Sequence, residues 1–502
     1  MIDHYLHIDF DPAHSLQQQL RQCLVDAILR GIFPVDEPLP SCRQLSQQLS
    51  VSRNTVALVY ESLLDKGYLI SKPRSGYYLH PDYHHVAGAG HVAPVSTAQA
   101  VNGMSEGPAQ GGVQWSSKVV QSAGHFYGTL KPKNWAHFKY PFAYGQSDSD
   151  LFPRRAWRLA ERDLLNQENL SLWTADNADR DDPELIEQLR TRVLPKRGIW
   201  ARPENILITL GSQNALYLLA RLLTGPGIRV GIENPGYRDA WNMFTLNKAQ
   251  VSLHPVDAEG LVVDDALSRC QYVYVTPSHQ VPTGVTLSAA RRRALWQMAC
   301  RHDQIVIEDD YDADLNLSQH PLPALKSADT QGRVIYLSSF SKSLAPGLRI
   351  GYVVADEELI DEMRALRRLM YRHPPFNIQR LLARFLAQGD YDAHLRQYRT
   401  AYRAKHAQLH AAVEKHLGGC AYSTSEGAAS FWMAAPEGVD TQKLAWAAAQ
   451  RSIMIEPGTS HFLDGTGSTR HFRLGLNGIR AERIVPGIQL LSDTLMGAGV
   501  LQ

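Results

Sequence analysis

Residues 338–351 read Ser338-Ser-Phe-Ser-Lys-Ser-Leu-Ala-Pro-Gly-Leu-Arg-Ile-Gly351. They follow the apolar run Val334-Ile-Tyr-Leu337, a short β-rich segment that delivers a single lysine, Lys342, into a field of hydroxyls. Ser339, Ser341 and Arg349 together make a hydroxyl-and-guanidinium cradle suited to a phosphate. A lysine in such a place is a candidate for imine chemistry, which requires its amine to become neutral.

Other segments of the last two-thirds of the chain carry the same kind of signal. Ile305-Val-Ile-Glu-Asp-Asp-Tyr311 is a strand running into carboxylates and a tyrosine. Thr209-Leu-Gly-Ser-Gln-Asn-Ala215 reads as strand, glycine turn and helix start, so the backbone amides around Ser212 and Gln213 can bind an anion at the positive helix end. The runs 206–210, 229–232, 272–275, 305–307, 334–337 and 350–354 are short, mostly apolar and separated by helical stretches. Such runs suit a sheet buried on both faces, so the expectation is an α/β domain with mainly parallel strands. The acidic stretch from Asp176 to Glu184 reads as a solvated loop leading into a helix.

The N-terminal part has a different rhythm. Leu16, Leu20, Cys23, Leu24, Ala27 and Ile28 recur at helical steps, and the spacing predicts a first helix over 15–33. Pro40-Ser41 starts a second over 42–49, a turn at Ser50-Val-Ser52 follows, and a third runs over 53–66 to Gly67. Tyr68-Leu-Ile and Tyr77-Tyr-Leu flank a basic tip, Lys72-Pro-Arg-Ser-Gly76. Helix, helix, turn, helix, hairpin is the order of a winged helix-turn-helix, mainly α with a β-wing. Ser52, Arg53, Asn54 and Thr55 then stand at the end of the third helix that enters a major groove, with Arg43 near the start of the second and Lys72, Arg74 and Gly76 in the wing.

Length and composition agree with two unequal domains. The 502 residues exceed what one core usually serves. Net charge is +1, so nucleic-acid binding has to rest on where charges sit; residues 41–79 hold five Lys/Arg against two Asp/Glu. The five cysteines are scattered without a C-x-x-C pair, which gives no reason to expect a metal or a disulfide framework. The start lacks a basic segment followed by an apolar core, and no run is long and apolar enough to span a bilayer, so a cytoplasmic protein is expected. Domain boundaries are expected at 1–80 for the winged helix, 81–125 for a linker poor in bulky apolar groups, and 126–502 for the large domain.

The stretch 39–56, with Tyr60, Leu63, Gly67-Tyr-Leu and Ser75-Gly76, resembles the GntR-type winged helix, which implies binding to double-stranded operator DNA. The segments around Lys342 and Asp309 resemble a fold-type I aminotransferase dependent on pyridoxal 5′-phosphate (PLP). That resemblance implies that Lys342 bonds PLP covalently, Asp309 holds the pyridine nitrogen, Tyr311 bonds the phenolic oxygen and Tyr237 of Glu233-Asn-Pro-Gly-Tyr237 stacks beside the ring. Asp309 and Tyr311 are closer in sequence than in many aminotransferases, and Asp310 stands as an alternative to Asp309. Thr276-Pro-Ser-His-Gln-Val-Pro-Thr-Gly284 has Val281 where aminotransferases place an asparagine, so either His279 or Gln280 replaces that hydrogen bond. His471-Phe-Arg-Leu-Gly475 resembles the substrate-carboxylate segment, which makes Arg473 the residue for an effector's acid group.

The pairing of a GntR-like head with an aminotransferase-like domain resembles the MocR/GabR regulators. It implies a homodimer with exchanged heads, operators with two half-sites, and sensing of a small amine or amino acid, or of PLP itself, by amine exchange at Lys342. An active aminotransferase with an accessory DNA-binding head is the alternative.

Overall fold

The computed structural model describes residues 10–11, 15–29, 31–34, 37–73, 75–83, 115–120, 123–124, 126, 132, 134–176, 179–318, 321–425, 427–463, 465 and 469–497. The chain divides into two compact units, 1–119 and 120–502. Most of the linker expected at 81–125 lies outside the described residues, as does Arg74 of the wing.

The first unit consists of helices α1 (Leu16–Leu29), α2 (Cys42–Gln48) and α3 (Arg53–Asp65) and the hairpin β1 (Leu69–Lys72) and β2 (Gly76–Leu79). One stripe of α1, Leu20, Leu24, Ala27 and Ile28, packs with Leu45 of α2, Val56, Val59, Tyr60 and Leu63 of α3, and Leu69 and Leu79 of the hairpin. Helix α1 stops at Leu29, short of the expected 33; Phe33 is nevertheless buried in this core. Ser41 starts α2 with a reciprocal capping box to Gln44, and the Tyr60 hydroxyl donates to Pro40 O at 2.8 Å, tying α3 to the entry of α2.

The second unit contains β3 (Tyr140–Pro141) and a large sheet of eight strands: β4 (Ile206–Thr209), β5 (Arg229–Asn234), β6 (Gln250–Asp257), β7 (Gly260–Leu261), β8 (Tyr272–Val275), β9 (Ile305–Asp309), β10 (Val334–Ser339) and β11 (Gly351–Val354). Their order is β4-β11-β10-β9-β8-β5-β6-β7. Neighbours are parallel except that β11 runs against both β10 and β4, and β7 against β6. The 350–354 run is thus the antiparallel member of an otherwise parallel core. Apolar clusters cover both sheet faces, the condition that lets β4 and β10 be buried at every position.

A second sheet, of order β12-β13-β16-β15, is formed by β12 (Ala421–Ser423), β13 (Ser430–Ala434), β15 (Glu456–Pro457) and β16 (His471–Gly475), while β14 (Ile453–Met454) pairs with β3. Registers place Trp432 and Glu456 opposite Arg473 from its two flanking strands.

The acidic stretch 176–184 leads into the Pro183–Gln188 helix with Asp176 and Asp179 exposed, as expected, but two of its carboxylates depart from that expectation. Asp181 and Asp182 are buried, because cations from distant helices reach them. Asp181 pairs with Arg364 at 2.8 Å and with the fully buried Arg367 at 2.6 Å, and Asp182 pairs with Arg380 at 2.7 Å while capping the Pro183–Gln188 helix.

Candidate functional site

Strands β4, β5, β8, β9 and β10 all point their C-terminal ends toward one place, where open α/β sheets put their ligands. A cavity of about 310 Å³ lies there, lined among others by Ser212, Gln213, Tyr237, Asp309, Tyr311, Ser339, Ser341, Lys342, Arg349 and Arg473. The residues named come from five separate stretches of sequence.

One end is built for an anion. After β4 the chain turns at Gly211 (φ +83°) into the Ser212–Leu223 helix. A side chain at 211 would place its Cβ 3.0 Å from an Arg349 guanidinium nitrogen. Arg349 itself adopts φ +51°, an unfavourable backbone for a non-glycine residue, and its Nη2 donates to Leu210 O at 2.7 Å. Ser212 at the helix start, Ser339, Ser341 and Arg349 all line the cavity, a set of groups suited to an anion.

At the floor, Asp309 ends β9. The Tyr274 hydroxyl, from β8, donates to its Oδ2 at 2.8 Å, and its Oδ1 is buried without a hydrogen-bond partner. Burial pushes the Asp309 carboxyl up to about 7; the Tyr274 hydroxyl and Lys342 pull down, and Asp310 and Asp312 add to the rise. A buried carboxylate with an unused oxygen on a cavity wall fits a cationic ring nitrogen. Asp310 does not take this place: its carboxylate pairs with Arg197 at 2.8 Å and accepts from Tyr336 at 2.9 Å.

Lys342 Nζ lies 4.6 Å from the ring centre of Tyr144, and the Arg473 guanidinium 3.8 Å from the same ring. Arg473 is buried and grips Glu456 through Nε and Nη2 at 2.7–3.0 Å. His461 Nε2 lies 2.9 Å from the other side of that carboxylate. Burial would raise the Glu456 carboxyl, but Arg473 and His461 outweigh it and hold it down at about 2.

Neither His279 nor Gln280 lines the cavity, although Val281 between them and Thr283 does. The His279 ring turns to Asp312 at 2.9 Å, and its carbonyl accepts from the Tyr311 hydroxyl at 2.9 Å. Gln280 spends its amide on Pro235 O and Val281 O and its carbonyl on Thr283. The expectation that one of them replaces the missing asparagine is not met by this geometry; each side chain is consumed in holding the loop. Tyr144, Tyr274, Arg238, Asp239, Glu456 and His461 line the cavity without having been singled out from the sequence.

In the first unit, Ser52 is the N-cap of α3, its hydroxyl accepting from Thr55 N at 3.0 Å and lying 2.8 Å from Thr55 Oγ1. Arg53 and Asn54 are exposed beside it, as is Arg43 on α2. In the wing, Lys72 is exposed and packs its amine over Tyr78 at 4.2 Å, directly across from Gly76, whose φ of +108° excludes other residues without strain.

Serine hydroxyls with an arginine, a buried carboxylate and a lysine at the strand ends of such a sheet, in a chain that also carries a winged helix, fit a DNA-binding protein built on a PLP-dependent aminotransferase fold. Residues 142–483 match the family Aminotransferase class I and II, and residues 16–79 match Bacterial regulatory proteins, gntR family. The HTH-type transcriptional regulator TauR of Rhodobacter capsulatus is 37% identical over 481 residues, 96% of each chain. The probable rhizopine catabolism regulatory protein MocR of Rhizobium meliloti is 30% identical over 82% of this chain and 80% of its own. The crystal structure of LysN, the α-aminoadipate aminotransferase of Thermus thermophilus complexed with N-(5′-phosphopyridoxyl)-L-leucine, superposes with a TM-score of 0.69 at 28% identity, covering 78% of this chain and all of that one. The chain belongs to the MocR-type transcriptional regulators, in which a GntR head is joined to an aminotransferase domain with PLP as cofactor. Among the described residues no helix is long and apolar enough to cross a membrane.

Proposed function

We propose that the large domain senses an amino-group metabolite, or PLP itself, by amine exchange at Lys342, and that its occupancy sets how the heads engage operator DNA. The observation that carries this reading is the convergence of Lys342, Asp309, Arg349 and Arg473 on one cavity in a chain with a DNA-binding head. When bound, PLP supplies an aldehyde that condenses reversibly with primary amines, which makes the cavity selective for amino compounds.

The chain's own residues do the rest. Arg349, the hydroxyls of Ser212, Ser339 and Ser341 and the helix end by Gln213 hold the phosphate. Asp309 would fix the ring nitrogen, Tyr237 would stack beside the ring, and Tyr311 would bond the phenolic oxygen once its hydroxyl turns from His279 O. Arg473 orients an effector's acid group. Since Lys342 and an incoming amine contend for one place, occupancy is read at Lys342, and an effector shifts the protein only if it binds two conformations unequally. Arg43, Arg53, Asn54 and Lys72, with the helix-start hydroxyls of Ser52 and Thr55, form the DNA-facing surface, and the protein acts as a homodimer on two half-sites.

The test is a screen of amines for a change in the absorbance of bound cofactor, followed by an operator-binding assay with each hit. Lys342→Ala should abolish the visible band. Brisk turnover of amino-acid and keto-acid pairs, with transcription unaffected by Arg53→Ala, would instead favour an aminotransferase with an accessory head.

A further inference from the structure

The acid-binding end of the cavity is not a bare cation. Glu456 on β15 and Arg473 on β16 are direct cross-strand partners, so backbone register, not chance side-chain reach, sets them side by side. Glu456 occupies the Nε and Nη2 side of the guanidinium, and no hydrogen bond is made by Nη1 among the described residues. His461 fixes the carboxylate from behind, its other ring nitrogen lying 3.1 Å from Gly236 O on the loop that leads to Tyr237.

We propose that Glu456 is the specificity-determining residue of this cavity, tuning Arg473 to accept a short amino acid with a single acid group and to reject dicarboxylic amino acids. The inference rests on the amine-sensing reading above. A ligand acid that docks on the open Nη1 edge shares one guanidinium with Glu456, so each such acid meets a repulsion that a bare arginine would not impose. A second acid on the same ligand adds a further anion beside Glu456 and needs a cation of its own. Of the other arginines that line the cavity, Arg349 stands at the phosphate end, and Arg238 spends Nε and Nη2 on Ser460 O and Phe462 O, which leaves a second acid only the Nη1 edge of Arg238. Length is limited too. Lys342 and Arg473 both lie over the Tyr144 ring, so the gap between them cannot exceed their two distances to that ring laid end to end. Only a few bonds fit between amine and acid.

The experiment titrates the PLP-loaded, full-length protein with propylamine, β-alanine and both enantiomers of aspartate, following cofactor absorbance, in wild type and Glu456→Gln. In wild type β-alanine should reach half-shift at a concentration at least tenfold below either propylamine or aspartate. In Glu456→Gln aspartate should gain at least tenfold relative to β-alanine, the ratio being read within the variant on protein that carries the cofactor band. An aspartate to β-alanine ratio unmoved by the substitution, or a wild type that prefers aspartate, overturns the proposal. Should Glu456→Gln fail to fold, the wild-type order of β-alanine and aspartate decides alone. A wild-type spectrum that no amine shifts, propylamine included, refutes the amine-sensing reading instead.

Discussion

The hydroxyl of Tyr274 donates to Oδ2 of Asp309 at 2.8 Å, joining two adjacent parallel strands at the floor of the cofactor cavity. With one oxygen held there, the other is left without a partner, which under the function proposed above is the oxygen that meets the pyridine nitrogen. Tyr274→Phe removes a hydrogen bond to a group that is charged when paired with the cofactor, worth about 1.5–3 kcal/mol. PLP should therefore bind roughly tenfold to a hundredfold more weakly, as measured by quenching of tryptophan fluorescence on titration. Unchanged affinity would show that Asp309 is positioned without Tyr274.

Asp181 makes a prediction about stability and not about ligand. It balances Arg367, which is fully buried and also donates to Ile208 O at 2.6 Å, and so it clamps β4 to the Glu357–Tyr371 helix. Asp181→Asn keeps the shape and removes the charge, leaving a buried guanidinium uncompensated. Losses of about 3–5 kcal/mol follow from breaking such pairs from one side. Denaturant unfolding of the large domain should show a loss of that order, and a change below about 1 kcal/mol would mean that Arg364 and Arg367 find other partners.

Glu233 gives a pH dependence with a definite sign. Burial pushes its carboxyl up to about 7, against hydrogen bonds from the backbone and hydroxyl of Thr276, while in the unfolded chain it titrates near 4.5. Between those values the folded state binds more protons than the unfolded state, so this residue's contribution to stability is present below about pH 4.5 and is lost as pH rises to about 7. Glu233→Gln has no such loss. The difference in melting temperature, variant minus wild type, should thus move in favour of the variant from pH 5 to pH 7.5, because the other buried carboxyls titrate in both proteins. A difference flat across that range would contradict the assignment.

Contiguous signals were the readable ones. The segment 338–351 carries Lys342, both serines and Arg349 on one strand and its following turn, so their convergence is visible without knowing the fold. Glu456 and Arg473 are neighbours only through strand register, and Tyr144 reaches the cavity from a segment with no motif around it. The burial of Asp181 was hidden for the same reason: its partner Arg367 lies far away in sequence, and an isolated acidic run gives no sign of a cation that will arrive from another helix. His279 and Gln280 show the converse limit. Their residue types suit a cofactor hydrogen bond, but which way each side chain turns is decided by Asp312, Pro235 and Thr283.

Ser52 and Arg53 are adjacent in sequence and should fail differently. The Ser52 hydroxyl is already spent on the first turn of α3, so Ser52→Ala removes a helix cap and should destabilise the head by about 1 kcal/mol. Arg53 is exposed, so Arg53→Ala should leave stability within about 0.5 kcal/mol of wild type. At a groove, however, an arginine paired with a base edge is worth about 1–3 kcal/mol of discrimination. Against a duplex selected from a random pool, Arg53→Ala should lower affinity by roughly tenfold or more while binding to unrelated DNA falls less. Ser52→Ala should weaken both DNAs by a similar factor, since it loosens the helix that presents every contact. Thermal melts paired with fluorescence-anisotropy titrations on the two duplexes separate these outcomes, and equal losses of specific and unrelated binding in Arg53→Ala would remove Arg53 from base recognition.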